Sequence, residues 1–104
     1  MTLAATHPEA PLKPDARPRQ RAGLRCHELD DEAVLYDLAH HAVHYLNATA
    51  YAVWRQCDGR TPVAKLPGRL ATHFSIAEDD SLIADTHRAL RGMAENGLVD
   101  WGAA

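Results

Sequence analysis

The sequence predicts an α+β domain in which a three-stranded antiparallel sheet is followed by three helices. Apolar residues recur with period two between residues 24 and 46, which is typical of half-buried strands. Between residues 48 and 96 they recur at steps of three and four, which indicates amphipathic helices. The links between the predicted strands are short, so the strands are expected to form a meander.

The N-terminal segment has a different composition from the rest of the chain. Four of the six prolines fall within the first 18 residues, at Pro8, Pro11, Pro14 and Pro18. Proline removes backbone donors and restricts the residue before it, which disfavours both helix and sheet. We therefore predict a disordered or extended arm over residues 1–22 and one folded domain over residues 23–104. The arm is basic, and contact with an acidic partner is the alternative to a solvated tail.

The predicted strands are Leu24–Leu29, Ala33–Leu38 and Ala42–Leu46. In a meander the third strand lies at an edge, and here it carries no proline, lysine or carboxylate. Natural proteins usually blunt an uncharged edge, and an open edge suits the addition of a peptide strand. The alternation does not decide which pleat face is buried, so Val43 and Tyr45 could face the core or the solvent.

The helical half has recognisable start and stop signals. Asn47 is a good N-cap for a helix over Ala48–Cys57, and Asp58-Gly59 is expected to end that helix with Gly59 at positive φ. Thr61-Pro62 starts the second helix, in which Pro67 is expected to introduce a kink or a split.

The third helix is predicted over about Ser81–Asn96, after an acidic run that suits a helix N-terminus. Gly97 is the expected C-cap, and Ile83, Leu90 and Met93 are expected to face the core. The segment after it, which holds Leu98, Val99 and Trp101, is expected to fold back onto that core.

Composition and charge exclude several classes of protein. The 104 residues are 46% hydrophobic and 24% charged, as in a soluble domain, and the apolar runs are too short to span a membrane. The start lacks a secretory signal, which predicts a cytoplasmic protein. Residues 1–25 carry a net charge of +3 and residues 26–104 a net charge of −6. The predicted folded domain is therefore acidic, and an acidic domain is a poor match for the phosphate backbone of nucleic acid.

No pattern of catalytic or metal-binding residues is found. His40 and His44 align for a metal only on a helix, whereas here they span a turn and a strand, so we expect no metal site. Cys26 and Cys57 are expected to be buried, inert thiols. Neither a nucleophile elbow nor a phosphate-binding glycine loop is present. We expect no catalytic residue, no cofactor and no enzymatic activity.

Several motifs resemble the PqqD family. They are Val34-Leu35-Tyr36, Leu46-Asn47-x-Thr49-Ala50, Cys57-Asp58-Gly59-Arg60-Thr61, Asp85 followed by Leu90, and Gly97-Leu98-Val99. The resemblance covers about Leu24 to Trp101. It implies a winged-helix-like fold and membership of the RiPP recognition elements, which bind leader peptides of ribosomally made, post-translationally modified peptides.

The resemblance also implies a function and a site. A domain of this kind captures the leader of a precursor peptide and presents it to a modifying enzyme, such as a radical-SAM or cyclisation enzyme. In the family the leader adds to the third strand, in a groove shared with the last helix. By position, the binding residues would be Ala42, Val43, His44, Tyr45, Leu46, Asp85, Arg88, Ala89 and Gly92.

Other outcomes stay open at this point. Asp37–His41 lacks the proline and glycine that quinone-pathway members have in this turn, which favours another peptide pathway. Asp85 and Arg88 could also be a solvated helix face. A winged-helix DNA-binding regulator is the alternative function, although the last helix is not basic overall. A homodimer formed through the open edge is a further alternative.

Overall fold

The computed structural model describes residues 12–101 and confirms the predicted α+β class. A three-stranded antiparallel sheet has the order β2-β3-β4, formed by β2 (Leu24–Leu29), β3 (Glu32–Asp37) and β4 (Ala42–Leu46). It is followed by helices α1 (Ala48–Gln56), α2 (Leu66–Phe74) and α3 (Asp80–Glu95). The first and third predicted strands have the observed bounds, and the second is shifted by one residue. None of the helices in the described residues is long and apolar enough to cross a membrane.

The hairpin registers follow from the turns that connect the strands. Leu24 pairs with Asp37 and Leu29 with Glu32 across the first hairpin, in which Asp30 adopts a left-handed conformation. A 3-10 turn over Leu38–His40 joins β3 to β4, and His41 closes it at φ 53°. Asp37 caps this turn by accepting a hydrogen bond from the His40 amide.

A second, two-stranded sheet was not predicted. Pro18–Gln20 forms β1 and pairs antiparallel with β5, Val99–Trp101. Of the two alternatives predicted for the arm, disordered or extended, Pro18–Gln20 is extended, and the expectation that proline disfavours sheet is wrong there. Residues 1–11 lie outside the described residues. Pro18 is buried and opens its strand, a position where its missing N–H costs no ladder bond. The partner strand lies some eighty residues away, which is why local patterns did not reveal it.

The helices differ from the prediction mainly at their ends. Asn47 caps α1 as expected, with its side chain 2.9 Å from the Ala50 amide. Helix α1 ends at Gln56 with Cys57 as C-cap, so Gly59 has the expected positive φ (78°) but lies farther from the helix. Helix α3 begins one residue early, capped by Asp79, and Asn96 rather than Gly97 is its C-cap.

Pro67 neither kinks nor interrupts a helix. A short 3-10 turn over Val63–Lys65 precedes α2, and Pro67 lies in the first turn of α2. A proline there removes an N–H that has no partner within the helix. The chain does change from a 3-10 turn to an α-helix in this region, but the change lies before Pro67 and not at it.

The core lies between the inner face of the sheet and the three helices. Leu35, Leu66, Leu70 and Leu90 are all 0% exposed, and Met93 and Leu98 are also buried. The Trp54 indole N–H donates to the Leu98 carbonyl at 3.1 Å, which joins α1 to the segment after α3. Leu98 and Val99 pack as predicted, whereas Trp101 is 41% exposed, and Ile83 is only half-buried.

Candidate functional site

The β4 strand forms one border of the three-stranded sheet. Within residues 12–101 it pairs with β3 alone, and no other described strand lies on its far side. Its sequence, Ala42–Leu46, contains no lysine, arginine, carboxylate or proline. Backbone N–H and C=O groups along the free side are therefore available to another strand, without a side-chain charge to oppose pairing.

The two pleat faces of β4 differ in exposure, and this settles the question that the sequence left open. Val43 and Tyr45 are 64% and 60% exposed, so the possibility that they belong to the core is wrong. Ala42 and His44 are half-buried on the inner face, where Leu46 is buried. The inner face follows Ala33 and Leu35, to which Leu46 and His44 are paired in register.

On the outer face, the part of the sheet formed by β3 and β4 carries apolar side chains although it is exposed. Val43 lies opposite Tyr36, and Tyr45 lies opposite Val34, so aromatic and β-branched side chains pair across the strands. A hydrogen bond with Glu32 raises the pKa of the Tyr45 phenol, and burial adds to that rise. A strand added to β4 would place alternate side chains next to this face.

A polar cluster fixes the connection that enters β4. The His40 ring nitrogen Nδ1 lies 2.8 Å from the Asp37 carboxylate, and Arg21 lies 4.0 Å from the same carboxylate. Arg21 also donates to the Gly97 carbonyl at 3.1 Å, which ties this corner to the end of α3. The hydrogen bond from His40 lowers the pKa of Asp37, and the charges of His40 and Arg21 act in the same direction against its burial.

The same cluster explains what His40 does in place of the metal pair considered from the sequence. Its ring is engaged by Asp37, three residues earlier, rather than by His44. Among the described residues no group of three or more His, Cys, Asp or Glu side chains could hold a metal ion.

The four residues predicted on α3 do not share one environment. Arg88 is exposed and its guanidinium lies 2.8 Å from Asp85, so its charge has a partner within the helix. Ala89 packs partly against the core. Gly92 faces open space, since a Cβ there would meet no atom within 4 Å.

A shallow depression of about 570 Å³ runs along the outward side of α3. Arg88 and Gly92 line it together with Ala84, His87, Arg91 and Glu95. Asp85 and Ala89 do not line it. Helix α3 packs mainly on α1, and a groove shared by α3 and β4 stays a prediction.

Sequence reasoning missed the contact that holds α1 against β2. The Tyr51 hydroxyl donates to Glu28 at 2.5 Å, and the Arg55 guanidinium lies 3.4 Å from the same carboxylate. Arg55 also lies over the Tyr51 ring, 5.6 Å from its centre. The spacing of Tyr51 and Arg55, four residues apart on one helix face, is the only local signal for this contact.

The two cysteines have opposite environments. Cys57 is buried as predicted, and burial, reinforced by the neighbouring Asp58 charge, raises the pKa of its thiol to about 12. Cys26 is exposed, so the prediction that it is buried is wrong. It lies on the inner face of β2, 3.8 Å from the Tyr51 hydroxyl, but β2 is an edge strand that the helices only partly cover.

The Asp58-Gly59 motif has a structural role. The Asp58 carboxylate accepts hydrogen bonds from the Arg60 and Thr61 amides, both at 2.8 Å, and from the Thr61 hydroxyl at 3.1 Å. These bonds lower the pKa of Asp58, against its slight burial. Gly59 donates its N–H to the Pro18 carbonyl at 2.9 Å, so this turn also holds the N-terminal segment.

One solved structure is similar to this fold. It is described as TbiB1 in complex with the TbiA(beta) leader peptide, and it is 20% identical to this chain with a TM-score of 0.66. The match covers 83% of this chain and 98% of the other. No curated protein matches this sequence.

A family model supplies the assignment. The model described as coenzyme PQQ synthesis protein D (PqqD) matches residues 32–99, which include β3, β4, all three helices and the start of β5. The match spans well over half of the chain and includes the motifs from which the resemblance was drawn. The chain belongs to the PqqD family.

Proposed function

We propose that this protein is a non-catalytic domain that captures the leader of a ribosomally made precursor peptide by strand addition to β4. The observation that carries the proposal is the free, uncharged border of β4 in a member of the PqqD family. The similar fold of TbiB1, which was solved with a leader peptide, supports it.

Strand addition accounts for affinity without sequence preference. The backbone groups of the leader pair with those of Ala42–Leu46, and any peptide can form such bonds. Specificity then comes from side chains on either side of the added strand. On the outer face these would contact Val43 and Tyr45. On the inner face we place His44, with Asp85, Arg88, Ala89 and Gly92 of α3 completing the groove.

The domain would act in the cytoplasm and present the bound leader to a modifying enzyme, such as a radical-SAM or cyclisation enzyme. The turn at Asp37–His41 differs from that of quinone-pathway members, which favours a precursor peptide from another pathway. A homodimer formed through β4 would compete with the leader for the same backbone groups.

A pair of proline variants in β4 tests the proposal. Adjacent residues of an antiparallel strand direct their N–H groups to opposite sides. One of Val43→Pro and His44→Pro therefore removes a donor on the free border, and the other removes a bond to β3. We expect the border variant to weaken leader binding about tenfold or more, because leaving a buried acceptor of the leader unpaired costs about 1–3 kcal/mol. The same variant is expected to have the smaller loss of stability.

The probe is the labelled N-terminal segment of a short peptide encoded beside this gene. Binding is followed by fluorescence anisotropy, and stability by urea unfolding of each variant. The unmodified protein and Arg25→Pro, in the opposite edge strand β2, serve as controls. Leader affinity that is equal in the parent and in whichever proline variant retains its stability would contradict strand addition at β4.

A further inference from the structure

A groove on the helical side of the molecule is lined by more basic than acidic side chains, although the folded domain is acidic overall. It is formed by α2, the 3-10 turn before it and the loop before α3, and its volume is about 670 Å³. We call it the α2 groove. Its lining is Gln56, Ala64, Lys65, Gly68, Arg69, Thr72, His73 and Glu78.

The basic side chains of the α2 groove lie in one row. Lys65, the N-cap of α2, is four residues from Arg69, which is four residues from His73. The three side chains therefore share one face of the helix and span about 12 Å along its axis. All three are exposed. Among residues 12–101, neither Lys65 nor Arg69 lies within 4 Å of a carboxylate, whereas Arg21, Arg55 and Arg88 each do.

The opposite wall of the α2 groove carries one carboxylate, Glu78. It lies over Gly68, where it would be 3.2 Å from an added Cβ. Asp79 and Asp80 follow at the start of α3 but do not line the groove, and Asp79 caps that helix. A ligand of uniform negative charge, such as duplex DNA, would be attracted by one wall and repelled by the other. A protein surface can instead place carboxylates opposite the cations and a cation opposite Glu78.

The α2 groove is separate from the proposed leader site. Helix α2 packs on α1 and α3, and α1 contacts β3 and β4 on its other side. A partner seated in the α2 groove would therefore leave the free border of β4 accessible. Such a surface suits an enzyme that contacts this domain and its bound leader at the same time.

We propose that the α2 groove is the docking surface for an acidic segment of the modifying enzyme, with carboxylates about 6 Å apart that face Lys65, Arg69 and His73. The inference rests on the proposed function, because it supposes that such an enzyme is a partner. It adds the location and the chemistry of that contact.

The test uses a synthetic probe in place of the enzyme. The probe is an alanine-rich helical peptide with three glutamates spaced four residues apart, and its control has glutamine at the same positions. Amide chemical shifts of the labelled protein are followed during titration at low salt. We expect the glutamate peptide to shift resonances of the α2 groove, the glutamine peptide to leave them unchanged, and high salt to abolish the effect.

Charge reversal supplies the matched control. Lys65→Glu with Arg69→Glu is expected to weaken binding of the glutamate peptide about tenfold or more, since two attractions become repulsions. Arg25→Glu with Arg60→Glu has the same net charge and is expected to retain binding. If the first pair does not fold, Lys65→Gln with Arg69→Gln is used, and a loss of about threefold is expected.

Three results would overturn the proposal: no shift with the glutamate peptide, equal weakening by both charge-reversed pairs, or tighter binding of duplex DNA to the same residues. Leader binding is measured in the same variants and is expected to be unchanged by reversal of Lys65 and Arg69. If the protein binds the glutamate peptide but no leader, the proposed function is contradicted, whereas the binding of acidic segments to the α2 groove is supported.

Discussion

The two faces of the β3–β4 hairpin both carry apolar side chains but differ in burial. The inner face buries Ala33, Leu35 and Leu46 against the helices, whereas the outer face exposes Val43 and Tyr45 to solvent. Adjacent apolar side chains that remain exposed are typical of interaction surfaces, which is why we propose this face as part of the leader site. The comparison shows that a hydrophobic side chain in β4 need not belong to the core. Its burial depends on whether a helix packs against its face of the sheet.

The largest expected effect is a difference in labelling rate between the two thiols. It shows how far the helices cover the inner face of the sheet, because Cys57 is buried and Cys26 is exposed. With a pKa of about 12, only about one Cys57 thiol in ten thousand is ionised near pH 8, and the group is buried. We expect Cys57 to react with a water-soluble disulfide reagent more than about 1,000-fold slower than the exposed Cys26. The measurement is the time course of thiol labelling in the folded protein.

The Cys26→Ser variant is the control for that assignment, since it is expected to remove the fast phase and to leave the slow one. If both thiols of the parent protein were labelled at the fast rate, the reagent would have access to the core around Cys57, which would contradict its burial.

The next largest effect is on the free energy of unfolding, compared between one substitution on the inner face and one on the outer face. Leu35→Ala removes a fully buried side chain and is expected to lower the free energy of unfolding by about 2–5 kcal/mol. Val43→Ser, on the outer face, is expected to change it by less than about 1 kcal/mol. Urea unfolding measures both. A larger loss for Val43→Ser than for Leu35→Ala would reverse the assignment of the faces.

The smallest expected effect is a change in the pH dependence of stability, and it concerns the hydrogen bond between Asp37 and His40 at the end of the inner face. The pKa of Asp37 is lowered in the folded protein, so the unfolded chain binds a proton more readily as the pH falls. The stabilisation from Asp37 is therefore complete above its ordinary pKa of 3.8 and is lost as the pH falls through the folded-state value. Asp37→Asn is expected to be less stable near neutral pH and to lose less stability on acidification.

The measurement for Asp37 is the urea midpoint at neutral and acidic pH in both proteins. His40→Ala is the matched variant, because it removes the main cause of the lowered pKa while keeping the carboxylate. An identical pH dependence in the parent protein and in Asp37→Asn would show that this contact does not stabilise the turn before β4.

Local signals in the sequence predicted most of the fold. The period-two alternation and the short turns located β2 and β4 at their observed bounds, because hairpin pairing depends on nearby residues. The Asn47 cap and the Asp58-Gly59 pair marked the limits of α1 to within a residue or two. The free border of β4 followed from strand order alone, since the third strand of a meander has no further partner.

Features that depend on distant contacts could not be predicted in this way. The pairing of β1 with β5 joins residues that lie some eighty positions apart, and the proline content of the arm pointed away from it. Lys65, Arg69 and His73 share a groove with Glu78 only because α2 turns back toward α3. The choice between the two apolar faces of β4 was made by α1, which packs against one of them.

The sequence by itself therefore determined the order of the three central strands and the three helices, the edge position of β4 and the absence of acidic, lysine or arginine residues on its border. The tertiary structure alone decided that Val43 and Tyr45 face solvent and that Cys26 is exposed. The physical reason is that alternation fixes which residues share a face, whereas burial of that face depends on where the helices pack.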